Sequence, residues 1–426
     1  MFKLFEIIRL FILIFASKRG DDMFKFIILF IFISIYTVSG TEYICDGSSA
    51  DCQAKINTAA NGDTVTIVDG VHTWNSGVSI RTGIYLRGSI ASNVTIIGSA
   101  APKISVQKNS VHPIFISGLS FTGGSNYIQI SGSWSARPVV IANCTFSMNG
   151  GTAIFAQIVG GAVISGCDFQ GNGNYNDQAV KHKLSSDSQS WSTPPTLGME
   201  DVNGDRNLYF EDCTGSDCPQ QFIDIDDASR IVIRNNVFNN CEITSHGWCT
   251  SPVGLRHFEV YRNDFNFEAC QTNRCNLNRY LFIRGGSGVI WGNSMDDIRS
   301  SYWGSKDEVH FAIRNIQDEC GHGARCPVYP DDYPIPRQTG MGFDGTSDVP
   351  SPIYLWSNTG TLVVGFASWA DACGNNQITS QWIAEGRDYI YSEKPGYEPY
   401  TYPHPLTSGI TQQKVIKTPD NVRIKK

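Results

Sequence analysis

A short phrase recurs along the chain between residues 138 and 358, in which two or three apolar residues are followed by Cys or Asn. The closing residue falls at six positions, spaced by 23, 46, 23, 27 and 30 residues: Cys144, Cys167, Cys213, Asn236, Asn263 and Asn293. Repeats of this length are typical of stacked architectures, because one unit cannot bury its own apolar face. The phrases are rich in β-branched and aromatic residues, and no helical run interrupts them. The repeat therefore predicts an all-β fold, a parallel β-helix (solenoid), as a single domain over residues 41–410.

The segment before the first coil has a different periodicity. Cys52, Ile56 and Ala59 recur at helical spacing, and Asn61-Gly62 ends the pattern before a strand. We interpret residues 50–60 as a short N-terminal capping helix, because a solenoid has to cover the apolar layer and the strand edges at its open end.

Three stretches do not fit the repeat. The interval from Cys167 to Cys213 is twice 23 residues and holds either a degenerate coil or a long excursion. Its Ser-rich and Pro-rich content favours a loop excursion at about 171–205, and a second excursion is predicted at 318–350. The Tyr- and Pro-rich segment from Tyr389 to Pro405 is predicted to lie across the solenoid or to close its far end.

The N-terminus indicates secretion. The apolar run at residues 26–36 follows Met23 and Lys25, is shorter than the roughly 20 residues of a membrane span, and ends in small residues suited to cleavage. We therefore predict a signal-peptide region at residues 1–40, with Met23 as a candidate start, and an extracellular mature protein. Residues 411–426 form a polar C-terminal tail. An uncleaved membrane anchor is the alternative.

The chain has 13 Cys, which fits an oxidising compartment. Five close pairs are candidate disulfides: Cys45/Cys52, Cys213/Cys218, Cys241/Cys249, Cys270/Cys275 and Cys320/Cys326. Cys144 and Cys167 fall at the stacked turn and are equally consistent with packed, reduced thiols. Sequons that begin at Asn93 and Asn143 are compatible with a secreted glycoprotein.

The charge balance restricts the partners. A formal net charge of −7 with 17% charged residues argues against nucleic acid or an anionic membrane as the main partner. After signal cleavage we expect no membrane association, and we expect a monomer.

Strand alternation places charged side chains on one outer face. In the segment from Ile223 to Asp226, the two Ile residues point inward and Asp224 and Asp226 point outward. The corresponding strand in a later coil sends Arg284 outward at about the same level as Asp226. Because stacked strands lie about 4.8 Å apart, such groups can converge on one ligand.

The phrase from Ile223 to Phe238, with its closing Asn235-Asn236, resembles the strand, turn and Asn-ladder pattern of the right-handed parallel β-helix, pectin-lyase-like superfamily, which includes pectate lyases and other polysaccharide lyases. The segment at 59–65 is similar to the opening coil of that superfamily, and the resemblance covers most of residues 45–405. It implies a right-handed β-helix and a carbohydrate-active enzyme that holds an extended polysaccharide in a groove along one parallel sheet. The compact arginine–proline motif that well-known pectate lyases carry near the catalytic base is not found.

Within that class, the residues favour a lyase that cleaves a uronic-acid-containing polysaccharide by β-elimination. The reaction requires neutralisation of the uronate carboxylate and removal of a proton from C5. Arg256 and Arg284 are candidate catalytic residues, because a guanidinium binds a carboxylate through two hydrogen bonds. His246 is the candidate proton acceptor, because its ordinary pKa lies near neutrality. Arg256 can instead pair with the Asp cluster and act in stability alone.

Three carboxylates within four positions form a candidate metal site: Asp224, Asp226 and Asp227. Hard oxygen ligands suit Ca²⁺, and either Ca²⁺ or a neighbouring arginine would relieve the repulsion among these charges. A solvated acidic turn is the alternative.

Five residues are candidate substrate contacts: Lys181, His182, Trp191, Tyr302 and Trp303. Lys181 and His182 head the long excursion and are placed to line the groove from one side. The aromatic rings offer flat apolar surfaces for sugar rings, although packing within the fold is the commoner fate of such side chains.

Two other functions are consistent with the same residues. A glycoside hydrolase on this scaffold would use paired Asp carboxylates on either side of the scissile bond. A non-catalytic glycan-binding or structural β-helix at a surface would need none of the charged residues for activity, because a fold does not fix a function.

Overall fold

Each coil bends sharply at the position that the repeat predicts. In the computed structural model of the chain, the residue before each closing Cys or Asn has a positive φ, as at Asn143, Asp212 and Arg262 (52°, 55° and 55°). This left-handed backbone turns the following side chain into the interior. The structure describes residues 40–89, 93–133, 136–157, 161–174, 176–183, 207–226, 228–245, 255–267, 277, 279–296, 311–314, 339–359, 364–365, 369–370, 376–377 and 383–407.

The inward Asn side chains form a hydrogen-bonded ladder. The Nδ2 of Asn236 donates to Oδ1 of Asn263 (2.9 Å), and the same bond joins Asn263 to Asn293 (3.0 Å) and Asn293 to Asn358 (2.9 Å). Cys213 continues the column, because its backbone N–H donates to Oδ1 of Asn236 (2.9 Å). The ladder fixes the stacking of the coils, since every rung satisfies polar groups that are buried away from water.

The chain winds as a right-handed parallel β-helix with three faces. A 12-stranded parallel sheet forms the first face: Glu42–Cys45, Thr64–Ile67, Tyr85–Gly88, Ile114–Ser117, Val139–Ala142, Ala162–Ser165, Leu208–Glu211, Arg230–Arg234, His257–Tyr261, Ser287–Trp291, Ile353–Trp356 and Tyr389–Ile390. A 17-stranded sheet bends to form the second and third faces. The ladder lies at the corner between the first and second faces.

The strands of the second face follow the ladder directly: Gly70–Thr73, Val94–Ile97, Leu119–Phe121, Thr145–Ser147, Asp168–Gln170, Asp264–Asn266 and Ser294–Met295. The third face comes next in each coil: Val78–Ile80, Ile104–Gln107, Ile128–Ser131, Thr152–Gln157, Gln178–Lys183, Leu281–Arg284, Phe311–Arg314 and Val364–Gly365. Two long strands, Thr214–Asp226 and Val237–Ser245, run through both faces. Two small hairpins pair Met341–Phe343 with Asp348–Pro350 and Trp369–Ala370 with Asn376–Gln377.

The inward side chains of the three faces make one continuous core. Phe121, Phe146 and Phe169 stack with ring centroids 5.2 and 4.8 Å apart, and all three are buried. Apolar residues occupy alternate positions of the strands, as in Ile104-Ser105-Val106, so one side of each strand faces the core and the other side is free to carry function.

A helix at Ser49–Thr58 covers the first coil, which confirms the predicted cap. The Ser48 side chain accepts a hydrogen bond from the Asp51 N–H at its N-terminus, and Cys52 and Ile56 face the core. A disulfide joins Cys52 to Cys45 of the first strand, as predicted. No helix in the described part of the chain is long and apolar enough to cross a membrane, and the predicted signal-peptide region lies almost entirely outside that part.

Other cysteine pairs were predicted wrongly. Cys213 and Cys218 are both free, buried thiols, because Cys213 lies on the ladder corner and Cys218 follows it along an extended strand. Cys241, predicted to pair with Cys249, is also a free thiol and lies beside Cys218 in the sheet register. Cys144 and Cys167 are packed, reduced thiols, as one interpretation of the repeat expected. Cys249 and the two remaining pairs lie outside the described residues.

Strand pairing settles the nature of the double-length interval. Ala162 pairs with Leu208 and Ser165 with Glu211, so the first-face strands on either side of residues 167–207 are direct neighbours. The interval is therefore one coil with an excursion. Residues 184–206 within it lie outside the described part.

The C-terminal segment lies across the outside of the first face. Tyr400 packs edge-on against Tyr209 (5.5 Å between centroids), and Arg234 donates hydrogen bonds to the carbonyl oxygens of Tyr400 (3.0 Å) and Thr401 (2.9 Å). A short 3₁₀ helix at Pro405–Thr407 follows. The first of the two predicted placements, across the solenoid, is correct.

Candidate functional site

The outer side of the third face carries the charged residues that the sequence singled out. The sheet register aligns Lys181 with Asp224 on the neighbouring strand, and Asp224 with Thr244 and then Phe282 on the next two. A second outward row, two residues further along each strand, aligns Lys183 with Asp226. These rows run parallel to the axis of the solenoid, so they present their side chains to a ligand that lies along it.

Lys181 holds the two aspartates together. Its Nζ lies 2.8 Å from Oδ2 of Asp224 and 3.4 Å from Oδ2 of Asp226, and Gln178 Nε2 donates to Asp224 as well (3.1 Å). The aspartate side chains are 1% and 3% exposed, whereas that of Lys181 is 31% exposed. Burial disfavours the charge on Lys181, but Asp224 and Asp226 outweigh it and raise the pKa of the ammonium group. Lys181 is therefore a fixed positive charge at neutral pH and the accessible member of the cluster.

Arg284 lies in the row of Asp226, two strands away, which confirms the predicted level. Two strand spacings separate them by about 10 Å. The guanidinium lies 3.9 Å from the ring centroid of Phe282, and Nη1 donates to the Ser245 carbonyl oxygen (3.1 Å). Packing against the ring and the carbonyl orients the planar donor group.

Sequence reasoning missed a second arginine beside the same ring. The guanidinium of Arg279 lies 3.6 Å from the Phe282 centroid, and its Nε is 3.5 Å from Oε2 of Glu242. Phe282 was detectable as an outward residue from strand alternation, in the same way as Arg284. Arg279 precedes its strand and Glu242 lies within the long strand Val237–Ser245, so only the stacking of the coils reveals that they are neighbours.

Arg256 lies at the corner where the third face passes into the first. Its backbone N–H donates to the Ser229 carbonyl oxygen (3.0 Å), and its side chain is buried beside the hairpin of Met341–Phe343 and Asp348–Pro350. Burial lowers the pKa of Arg256 to about 10, while Asp348 acts in the opposite direction. The guanidinium therefore stays charged at neutral pH.

The structure corrects the place of His182. It is fully buried, in the inward row with Ala156 and Ile225, because strand alternation turns it away from Lys181. Its Nδ1 lies 3.3 Å from the Ala156 carbonyl oxygen, and burial lowers its pKa to about 4. His182 does not line the outer groove. The other candidates, His246, Asp227, Trp191, Tyr302 and Trp303, lie outside the described residues.

The ammonium group of Lys181 lies 2.8 and 3.4 Å from the carboxylates of Asp224 and Asp226, two of the three predicted Ca²⁺ ligands. The third, Asp227, lies outside the described residues, so the Ca²⁺ site stays a prediction. No group of three or more His, Cys, Asp or Glu residues with metal-binding geometry occurs in the part of the chain that the structure describes.

Comparison with known proteins agrees with this architecture. The family model for a right handed beta helix region matches residues 69–265. The fold is accordingly a right-handed parallel β-helix. No curated protein matches the chain in sequence.

The solved structures that match the chain are distant in sequence. An alginate lyase from Paenibacillus sp. is 12% identical, with 75% of this chain and 86% of that chain covered and a TM-score of 0.39. A mannuronic acid specific polysaccharide family 6 lyase from human gut microbiota is 13% identical (76% and 77% covered, TM-score 0.41). A pectate lyase is 10% identical (77% and 78% covered, TM-score 0.33). The lyase activities in these names are those of the matched proteins.

Proposed function

We propose that this protein is a secreted polysaccharide lyase that cleaves a uronic-acid-containing polysaccharide by β-elimination in the groove along the third face. The observation that carries the proposal is a pair of fixed positive charges, Lys181 and Arg284, in two adjacent outward rows of that face. Lys181 and Arg284 project from strands of one parallel sheet, and each is oriented by its neighbours. Lys181 is accessible to a linear polyanion that lies along the axis, whereas Arg284, in the adjacent row, is 5% exposed.

The chemistry assigns these cations to the charge that develops during elimination. Removing the C5 proton of a uronate drives negative charge onto its carboxylate, and preorganised donors stabilise that charge most effectively in a site that excludes water. Arg284 is held against Phe282 and is the better bidentate partner for a carboxylate, whereas Lys181 supplies a point charge. Because the pKa of Lys181 is raised, its ammonium group does not serve as the proton acceptor. His246 remains the predicted acceptor.

Arginine and lysine, in this proposal, neutralise the substrate carboxylate in place of a metal ion. The acidic pair already has a cationic partner in Lys181, so Asp224 and Asp226 position the lysine. A calcium requirement stays a prediction, and its test is activity in a chelator.

The hydrolase alternative uses the same aspartates differently. A glycosidase needs two carboxylates on opposite sides of the bond, one of them protonated as the acid. Asp224 and Asp226 are both directed at one ammonium group and are almost fully buried, which favours the elimination chemistry.

The first test follows the ultraviolet absorbance of unsaturated uronate while mature protein is incubated with a panel of polyuronates and uronate-containing heteropolysaccharides. We expect an increase that Arg284→Lys lowers about 100-fold, because lysine keeps the charge and loses the two-point contact. The matched control is Arg87→Lys, at an exposed arginine of the first face that pairs with Glu42, and it should leave the rate unchanged.

Product analysis separates the alternatives. New reducing ends without unsaturated product would identify a hydrolase. If neither unsaturated product nor new reducing ends form with any polysaccharide of the panel, a glycan-binding or structural role would be favoured.

A further inference from the structure

The outward row that contains Lys181 continues toward the N-terminal end of the third face. The register aligns Ser79 with Ser105, Ser105 with Gln129, and Ile128 with Ile154, which places Phe155 next in the row and Lys181 after it. The adjacent outward row contributes Gln107, Ser131 and Gln157. We call these seven residues, from Ser79 to Gln157, the uncharged strip. It spans four strand spacings before Lys181, about 19 Å.

The uncharged strip is open to solvent. Ser79 and Gln107 are exposed, and the other five residues are half-buried, whereas the outward residues from Asp224 onward are buried. A concavity of about 430 Å³ lies at its N-terminal end, lined by the Ser79, Ser105 and Gln129 side chains together with Asn75 and Ser99. A ligand that reaches Lys181 from this side therefore has to pass over the strip.

The strip offers hydrogen bonds and an apolar surface without charge. The side-chain amides of Gln107, Gln129 and Gln157 make no hydrogen bond to any described residue, so their donors and acceptors are available to a ligand. The Phe155 ring is the half-exposed aromatic surface between those amides and Lys181. Amides, hydroxyls and an aromatic face are the groups that bind uncharged, hydroxyl-rich sugar rings.

Most charged residues in this part of the chain do not face the strip. Between Ser79 and Val180 there are seven: Arg81, Arg87, Lys103, Lys108, Arg137, Asp168 and Asp177. Arg81 directly follows the strand Val78–Ile80 and continues the register beside Gln107, at the N-terminal edge of the strip, whereas Arg87 belongs to the first face. Lys103 and Lys108 are buried, and Lys103 Nζ donates to the Gly98 carbonyl oxygen. Asp168 projects from the second face, and Asp177 accepts bonds from the backbone N–H groups of Gly150 in the preceding coil and of Asn172 in its own turn.

A polymer made only of uronates would set a carboxylate over nearly every strand of the strip. Arg81 would pair with one of those carboxylates at the N-terminal edge, but no cation among the seven residues of the strip would compensate the lost hydration of the others. The net charge of −7 would also oppose the polyanion at long range.

We propose that the uncharged strip binds neutral sugar units, about four in a row, and that the substrate is a heteropolysaccharide whose neutral units precede the uronate at Lys181. The second half of this inference rests on the proposed lyase function. The first half, a binding site for neutral oligosaccharides, does not.

The test is calorimetric titration of the mature protein with neutral tetrasaccharides of glucose, mannose, galactose and xylose. At least one should bind, and both Gln129→Ala and Phe155→Ala should weaken it about tenfold, which corresponds to about 1.4 kcal/mol. Gln170→Ala, at a half-exposed glutamine on the second face, is the matched control and should bind as the wild type does.

A charge-introducing variant provides the second arm. Gln129→Lys places an ammonium group on the strip, so it should weaken neutral binding and strengthen binding of a homopolyuronate tetramer. If no neutral tetrasaccharide binds, or if Gln129→Ala and Phe155→Ala bind like the control, the strip is not a neutral-sugar site. If a neutral tetrasaccharide binds but no unsaturated product forms, the neutral-sugar site stands and the lyase function is rejected. If unsaturated product forms but no neutral tetrasaccharide binds, the lyase function stands and the neutral-sugar site is rejected.

Discussion

Two adjacent residues on the third face, Lys181 and His182, show how the side of a strand sets the charge of a group. Lys181 faces outward onto two buried carboxylates, which raise its pKa and keep it charged. His182 faces the core, where burial lowers its pKa to about 4 and keeps it neutral. The first is available to a ligand, and the second contributes to stability alone.

The buried histidine makes stability depend on pH. An unfolded histidine has a pKa near 6.5, whereas that of His182 in the folded chain is about 4. Between these two pH values the unfolded chain binds a proton at this residue and the folded chain does not. Folding should therefore lose up to about 3 kcal/mol as pH falls from about 6.5 to 4.

We expect His182→Gln to flatten this loss, measured as the free energy of unfolding in denaturant at several pH values between 7 and 4. His112→Gln, at an exposed histidine, is the control. An unchanged pH slope in the His182 variant would refute the assignment.

At the scale of the element, the Asn ladder is what makes a coil of about 23 residues stack on the next. Asn263 is fully buried and bonds in both directions: its Nδ2 donates to the Ile233 carbonyl oxygen (3.0 Å) and to Asn293, and its Oδ1 accepts from the Asn236 N–H (3.1 Å). The hydrogen bonds of this one side chain thus connect three successive coils.

Asn263→Ala should cost about 3 kcal/mol, because it leaves several buried polar groups without a partner. Equilibrium unfolding in denaturant gives this value. Asn266→Ala removes a single bond, to Asn239, from a half-exposed residue of the second face and should cost less than about 1 kcal/mol. Equal losses of unfolding free energy in the two variants would show that the ladder contributes no more to stability than a half-exposed hydrogen bond.

At the scale of the whole molecule, the C-terminal segment covers a charged pair on the outer side of the first face and supplies hydrogen bonds to both members. Arg234 and Glu211 are fully buried and lie 2.7 Å apart, and the segment supplies two carbonyl oxygens to Arg234 and the His404 N–H to Glu211. Removing partners from a buried pair is costly, since an uncompensated charge remains in a medium of low polarity.

Tyr400→Ala should loosen this segment. The ring packs on Tyr209 and its hydroxyl accepts a bond from Asn207, so truncation should cost about 3–5 kcal/mol and expose the segment to limited proteolysis. Tyr391→Ala, at an exposed tyrosine of the same segment, should do neither. Proteolysis at the wild-type rate in the Tyr400 variant would contradict this docking.

The architecture was predictable because its determinants are local. A ladder residue every 23 to 30 positions, strand alternation and a capping helix all leave a period in the sequence. The outward placement of Asp224, Asp226 and Arg284 followed from alternation alone and is confirmed. The pairing of Cys213 with Cys218 failed, because closeness along an extended strand does not bring two side chains together.

The sequence by itself therefore determined the fold class, the cap and the side of the strand on which Asp224, Asp226 and Arg284 lie, since these depend on neighbours a few residues away. Only the tertiary structure decided which coils are adjacent and what each charge meets. The pairing of Ala162 with Leu208 sets an excursion outside the stack and brings Lys181 beside Asp224, 43 residues later in the chain. Electrostatic and hydrogen-bonding partners depend on the distance between groups in space. Because the coils differ in length, that distance cannot be deduced from the number of residues between the groups.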